Sequence, residues 1–177
     1  MKIVAICGSP RRGNTEFVLK RILTKAEELG ARTELVLLRE KRIEFCNGCL
    51  SCENDFKCSI RDDMQIIYPS LEGSDLIIFG SPTYFDCISG LMKNFIDRLN
   101  PITSKKGLEN KKFSFMTVGQ ANIASLNKTI KYIENFADLT KMLFIGDLSL
   151  IAKNPQDIEN NPESIQKIDE FTKGLIG

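Results

Sequence analysis

Lys2-Ile-Val-Ala-Ile-Cys7 followed by Gly8-Ser-Pro-Arg-Arg-Gly-Asn-Thr15 opens the chain, and this stretch indicates the fold. After Lys2 the run is apolar and rich in β-branched residues, which is typical of a parallel strand buried on both faces. Beyond the loop, apolar residues recur at helical spacing up to Leu29, and Gly30 ends the pattern. The stretch therefore predicts a central strand, a glycine-bounded loop and a helix.

The same alternation of strand and helix continues along the rest of the chain. We predict further strands over 33–38, 74–79, 112–118 and 142–151, the last interrupted at Gly146, and helices over 62–71, 91–99, 123–137 and 162–175. Asp62 and Asp63 are expected in the first turn of their helix, and Asn161 is expected to cap the last one. Five alternations predict an α/β fold: a doubly wound, five-stranded parallel sheet in a three-layer αβα sandwich.

Composition restricts the classes of function. The 177 residues are expected to form one domain, 1–177, and the 24 Lys and Arg nearly balance the 23 Asp and Glu. With a net charge of +1 we expect no nucleic acid or membrane partner. No apolar run approaches 18 residues and the start of the chain does not resemble a signal peptide, so a cytoplasmic protein is expected. Histidine is absent, which excludes His-based catalytic triads.

A cysteine-rich loop at about 40–61 contains four of the six cysteines: Cys46, Cys49, Cys52 and Cys58. The spacing C-x2-C-x2-C-x5-C is close to the compact run that bacterial ferredoxins use for iron–sulfur clusters, with a longer last step and no following proline. A zinc site, a disulfide framework and buried structural cysteines are the alternatives. The remaining two cysteines, Cys7 and Cys87, are expected to be buried small residues.

Ligands of such sheets bind outside the carboxyl ends of the strands. The loop Gly8–Thr15 suits a phosphate at a helix N-terminus, and either Asn14 or Thr15 is also expected to cap that helix. It lacks the lysine of a nucleotide-binding P-loop and is not a G-x-G-x-x-G motif. The loop after the third strand, Ser81-Pro-Thr-Tyr-Phe85, has a proline and two aromatic residues that suit a flat heteroaromatic ring. For Phe85, packing in the core is the alternative.

These motifs, together with Asp62-Asp-Met64 and Ser89-Gly-Leu-Met-Lys-Asn-Phe-Ile-Asp-Arg98, resemble the iron–sulfur flavoprotein family. That family belongs to the flavodoxin-like NAD(P)H-dependent FMN reductases. The resemblance covers about residues 2–120 and implies a flavodoxin-like strand order 2-1-3-4-5, an FMN, and a [4Fe–4S] cluster on Cys46, Cys49, Cys52 and Cys58. It also implies a homodimer or homotetramer, in which the cluster of one subunit lies near the flavin of another.

By position, the resemblance places the FMN phosphate on Ser9, Arg11, Asn14 and Thr15, and the isoalloxazine on Pro82, Thr83, Tyr84 and Phe85, with Gly119 and Gln120 closing the third side. The phosphate loop is one residue shorter than the commoner family form, which leaves the role of Arg12 open. The expected function is that of an FMN-dependent oxidoreductase that transfers electrons between cluster and FMN. Its expected partner is a small redox protein such as ferredoxin, or a nicotinamide donor with NAD(P)H as substrate.

The residues themselves leave two alternative functions open. The first is an NAD(P)H-dependent FMN or quinone reductase whose cysteine loop holds zinc or no metal. The second is a non-enzymatic redox sensor or zinc-stabilised binding module.

Overall fold

The fold is described from a computed structural model of residues 1–177, and its centre is a five-stranded sheet. All neighbouring strands are parallel and their order is β2-β1-β3-β4-β5, which confirms the predicted order. The strands are β1 (Lys2–Cys7), β2 (Arg32–Leu37), β3 (Leu76–Pro82), β4 (Lys112–Gly119) and β5 (Leu143–Ile151).

Seven helices accompany the sheet: α1 (Asn14–Glu28), α2 (Ser51–Asn54), α3 (Met64–Glu72), α4 (Gly90–Asp97), α5 (Asn100–Ser104), α6 (Ile123–Thr140) and α7 (Pro162–Ile176). The cysteine loop at 40–61 contains only the one-turn α2, and a short 3-10 turn, Leu38–Glu40, comes before it. None of these helices combines the length and the apolar character needed to cross a membrane.

Each face of the sheet carries its own apolar cluster, because successive residues of a strand point to opposite faces. On β1, Ile3 and Ala5 lie in the cluster formed with α1 and α7, while Val4 and Ile6 lie in the cluster formed with α3, α4 and α6. Phe79 anchors the second cluster, with its ring centroid 4.9 Å from that of Phe113. The three-layer arrangement predicted from the alternation of elements is therefore confirmed.

Two glycines let helices approach the carboxyl ends of the strands closely. A Cβ on Gly80 would lie 2.7 Å from Cδ1 of Leu19 in α1, and a Cβ on Gly8 would lie 2.8 Å from Cβ of Met92 in α4. Both distances are shorter than van der Waals contact, so only glycine fits without a shift of the neighbouring side chains. The ligand loops after β1 and β3 are thus held tightly against α1 and α4.

Several element boundaries differ from the sequence prediction. The strand predicted to end at Phe79 continues to Pro82, because residues 80–82 remain in register with 116–118 of β4. The helix predicted from Asp62 begins at Met64 and has no acidic residue in its first turn, since Asp62 serves another purpose described below. The predicted irregularity of β5 is confirmed: Gly146 has φ 148° and the ladder shifts register between Phe113 and Ser114.

The predicted cap of α7 is also confirmed. Asn161 Oδ1 accepts a hydrogen bond from Ser164 N at 3.0 Å, and Pro162 occupies the first helical position. The first backbone N–H groups of a helix have no partner within the helix. Here the Asn161 side chain accepts from one of them, and Pro162 has no N–H to satisfy.

Candidate functional site

A cavity of about 180 Å³ lies where the carboxyl ends of β1, β3, β4 and β5 meet the start of α1. Nine of the ten residues predicted to hold the flavin line it: Ser9, Arg11, Asn14, Thr15, Pro82, Thr83, Tyr84, Gly119 and Gln120. The tenth, Phe85, lines an adjoining cavity that shares Thr83, Tyr84, Gly119 and Gln120 with the first. The structure therefore brings all three predicted loops to one place, and their roles in flavin binding remain predictions.

The N-terminus of α1 opens into this cavity without a side-chain cap. Gly13 is the N-cap residue, so the prediction that Asn14 or Thr15 caps the helix is wrong. The backbone N–H groups of Asn14, Thr15 and Glu16 donate to no acceptor in the protein. Such N–H groups, together with the helix dipole, favour an anion, so the residues present fit a flavin phosphate.

The phosphate loop is shaped by buried hydrogen bonds. Ser9 Oγ donates to Arg11 O at 2.7 Å and is itself buried. Ser89, the N-cap of α4, donates from Oγ to Gly8 O at 2.6 Å, while Gly8 N donates to Gly80 O at 2.8 Å. The loop backbone is therefore fixed by the strand beside it and by the start of α4.

Sequence reasoning missed the segment after β5. Ala152 and Lys153 line the same cavity, and Lys153 is its second cationic side chain after Arg11. Asn14 holds this segment in place, because its Nδ2 donates to Asn154 O at 2.8 Å. Asp157 accepts from the backbone N–H groups of Lys153 and Asn154, which lowers the pKa of its carboxyl group. The sequence signal that could have identified this segment is Lys153 itself, a lysine two residues beyond the carboxyl end of β5.

Thr83 anchors the loop after β3, which contains Tyr84 and Phe85, to the sheet. Its Oγ1 lies 2.8 Å from Oγ1 of Thr117 and 3.0 Å from Oγ1 of Thr129, and Thr83 N donates to Val118 O. Thr117 Oγ1 in turn donates to Ser81 O at 2.9 Å. This chain of hydroxyl groups fixes the point at which the backbone leaves β3 and enters the cavity wall.

The residues after Thr83 form a tight turn. Tyr84 and Cys87 exchange backbone hydrogen bonds at 2.8 and 3.1 Å, and both residues between them, Phe85 and Asp86, have left-handed φ angles of 51° and 62°. Asp86 is held by Ser125 and Lys128 of α6. The Phe85 side chain is fully exposed, so its packing in the core, the alternative considered above, does not occur.

A second pocket lies in the cysteine loop. Cys46, Cys49, Cys52 and Cys58 all line it, together with residues of the α4–α5 corner that include Arg98 and Asn100. No cysteine forms a disulfide, and no three Cys, His, Asp or Glu side chains converge closely enough to hold a single metal ion. Hydrogen bonds with the hydroxyls of Ser51 and Ser59 lower the pKa of Cys49 to about 7.

The two remaining cysteines lie outside this pocket. Cys7 is fully buried, as predicted, and burial raises the pKa of its thiol. The prediction that Cys87 is buried is wrong: it is only half-buried, because it closes the exposed turn after Thr83.

A buried ion pair fastens the ends of the cysteine loop. Arg98 Nη1 lies 2.6 Å from Asp62 Oδ2, and the two side chains are 1% and 0% exposed. Asp62 also accepts from Glu44 N at 2.9 Å, and Arg98 donates to Glu44 O at 2.6 Å. Burial opposes ionisation of Asp62, but the hydrogen bonds from Arg98 lower the pKa of its carboxyl group. The sequence motifs contain both residues, but their pairing was not predicted.

Helix α4 joins the two pockets. Its N-cap, Ser89, bonds to the phosphate loop, and its C-cap, Arg98, donates from Nη2 to Cys58 Sγ at 3.4 Å. Nine residue steps at the α-helical rise separate these caps by about 14 Å. The two pockets share no residue, and one short rigid element sets the spacing between them.

Comparison with known proteins identifies the family. Residues 1–156 match the family model described as NADPH-dependent FMN reductase. The chain belongs to this family. Among the relatives of the chain, an iron–sulfur flavoprotein of Methanocaldococcus jannaschii is 36% identical over 148 residues, covering 83% of this chain and 77% of the relative. An iron–sulfur flavoprotein of Methanosarcina thermophila is 32% identical, covering 99% of this chain and 93% of the relative.

A solved structure supports the fold of this NADPH-dependent FMN reductase family member. A flavone reductase superposes with a TM-score of 0.78 at 20% sequence identity, and the match covers 99% of this chain and 62% of that chain. The flavodoxin-like fold and the resemblance to iron–sulfur flavoproteins are both confirmed, and the chain is an FMN-dependent oxidoreductase.

Proposed function

We propose that the chain transfers electrons between an FMN in the cavity at the start of α1 and a [4Fe–4S] cluster held by Cys46, Cys49, Cys52 and Cys58. The observation that carries the proposal is that all four cysteines line one pocket, joined by α4 to the flavin cavity. When bound, FMN exchanges electrons singly or in pairs and the cluster exchanges one at a time, so together they connect two-electron and one-electron partners.

The spacing of the four cysteines favours a cluster over zinc. A structural zinc site usually has two pairs of closely spaced ligands separated by a longer loop, whereas here three cysteines lie in one run with the fourth close behind. In a cubane each thiolate binds a different iron, so the four sulfurs only have to surround a common space. The relatives that carry the name iron–sulfur flavoprotein give independent support.

For FMN, the chain supplies both ends of a binding site. We assign the phosphate to the open N–H groups of α1 with Ser9, Arg11 and Lys153, which combine backbone donors with two positive charges. The isoalloxazine is assigned to Tyr84 and the backbone around Gly119, with Phe85 at the exposed edge. A nicotinamide donor, NAD(P)H, is the proposed source of electrons, in agreement with the description of the family, and a small protein such as ferredoxin is the proposed one-electron partner.

We further propose that copies of the chain associate as a homodimer or homotetramer, so that the cluster of one subunit lies near the flavin of another. Three apolar side chains of the cysteine loop, Phe45, Leu50 and Phe56, are exposed, and so are Tyr84 and Phe85 at the flavin cavity. Joining these two apolar surfaces would remove both from water. Light scattering of the purified protein tests the assembly, and Phe45→Ser with Phe85→Ser should shift it towards monomer.

Anaerobic purification followed by analysis of iron, acid-labile sulfide and flavin tests the function. Cys49→Ser should lose iron and sulfide while FMN stays bound, and Cys87→Ser, a cysteine outside the pocket, should retain all three. A Cys49→Ser variant with full iron and sulfide would contradict the cluster assignment. Flavin without iron in the wild type would select the FMN or quinone reductase, and absence of flavin would select the sensor or binding module.

A further inference from the structure

The corner between α4 and α5 directs two side-chain N–H donors at the cysteine pocket. Asn100 Nδ2 donates to Cys52 Sγ at 3.1 Å, and Arg98 Nη2 donates to Cys58 Sγ at 3.4 Å. Both donors lie outside the cysteine loop: Arg98 is the C-cap residue of α4, and Asn100 is the first residue of α5, which contacts α2 of the loop. Two of the four sulfurs are therefore contacted from the body of the fold, whereas Cys49 is contacted by hydroxyls of the loop itself.

The two donors differ in charge and exposure. Arg98 is buried, and its charge is balanced by Asp62, so its effect on the pocket is mainly that of directed N–H groups. Its Nε is also buried and has no hydrogen-bond partner in the protein. Asn100 is neutral and exposed, and it contacts Cys52 at the rim.

We propose that Arg98 and Asn100 are positioning residues that raise the reduction potential of the cluster, an inference that rests on the proposed function. Reduction adds one electron to [4Fe–4S]²⁺ to give [4Fe–4S]⁺ and increases the negative charge on the cysteine sulfurs. An N–H donor therefore stabilises the reduced cluster more than the oxidised one, and hydrogen bonds to the sulfurs are an established determinant of cluster potential. In the cell the electron comes from the reduced flavin, and in a titration it comes from dithionite.

Asn100 gives the cleaner test because its side chain is exposed and its loss does not disturb the core. Asn100→Ala removes one donor, and Asn100→Asp replaces it with a negative acceptor. The matched control is Asn54→Ala, the same change at an exposed residue of α2 whose amide makes no hydrogen bond to sulfur. Each protein is purified anaerobically, analysed for iron and sulfide, and titrated with dithionite while the reduced cluster is followed by electron paramagnetic resonance.

We expect Asn100→Ala to retain iron and sulfide. Its equilibrium constant for reduction of the cluster should fall by about tenfold, which corresponds to a midpoint potential about 59 mV more negative for one electron. Asn100→Asp should shift the midpoint further in the same direction, and Asn54→Ala should leave it unchanged. Arg98→Lys, which keeps the charge but loses the planar fork of donors, should also lower the midpoint, provided that its iron content matches the wild type.

The outcomes separate this inference from the proposed function. A wild type without iron and sulfide would overturn the proposed function, and the inference with it. The inference alone would be overturned if the wild type contains the cluster but neither Asn100 variant differs from the Asn54→Ala control by more than twofold in the equilibrium constant for reduction of the cluster.

Discussion

Replacing Asp62 by asparagine removes the negative charge that Arg98 faces inside the protein. Both side chains are almost fully buried, and the carboxylate accepts four hydrogen bonds: two from Arg98 at 2.6 and 3.2 Å, one from Glu44 N and one from Met64 N. The asparagine amide keeps one oxygen that can accept a hydrogen bond. Its NH2 group, however, would face N–H groups that also donate. Breaking a buried pair from one side leaves an uncompensated charge, so we expect a loss of about 3–5 kcal/mol in the free energy of unfolding.

A matched control is available on the protein surface. Asp97 pairs with Lys93 at 2.5 Å one helical turn away, and both side chains are more than 40% exposed. Exposed pairs of this kind contribute about 0.3–0.5 kcal/mol, so Asp97→Asn should hardly change stability. The comparison therefore tests burial, because the chemical change is the same in both variants.

Urea unfolding of the anaerobically purified proteins gives the measurement, with the slope of the transition compared between variants. For a chain of this length, the expected loss corresponds to a decrease of roughly 6–20 °C in the melting temperature of Asp62→Asn. If Asp62→Asn and Asp97→Asn lose the same small amount of stability, the buried pair does not hold the cysteine loop in the way described.

Three further predictions concern other parts of the molecule. Lys153→Ala should weaken FMN binding by about 10–100-fold and riboflavin binding much less, because only FMN carries the phosphate, and fluorescence titration of both flavins measures this. Gly80→Ala should cost about 1–3 kcal/mol in urea unfolding, since its Cβ would lie 2.7 Å from a leucine methyl of α1, whereas Gly90→Ala, which meets nothing within 4 Å, should be neutral or stabilising. Asp169→Asn removes a carboxylate whose pKa is lowered mainly by hydrogen bonds from Arg21, so the stability difference from the wild type should be present at neutral pH and vanish as the pH falls below the ordinary carboxyl range.

The regular part of the fold was predictable because it depends on local patterns. Buried parallel strands such as β1 are continuous apolar runs, and two adjacent residues, Asn161 and Pro162, indicate the start of α7. The extra length of β3 was not predictable from its own residues. Gly80 and Pro82 are typical loop residues, and they continue the strand only because β4 offers a partner in register.

The candidate site was predictable where its residues adjoin a strand end, and it was missed where partners are distant in sequence. Asp62 looked like a residue of the first helical turn, and nothing nearby reveals its partner Arg98, 36 residues away. In the same way, Asn14 looked like a helix cap, but its amide holds a segment 140 residues away. Hydrogen bonds over such separations depend on how the layers pack, which a periodic pattern does not record.

The fastening of the cysteine loop bears on how the mature protein is assembled. Its two ends are joined by Asp62, Arg98 and Glu44 through contacts that involve no cysteine, so these contacts do not depend on a bound metal. Cys46 and Cys49 remain exposed at the opening of the pocket. We therefore expect the ends of the loop to stay in place if the proposed cluster is lost, so that iron and sulfide could be replaced without unfolding the chain.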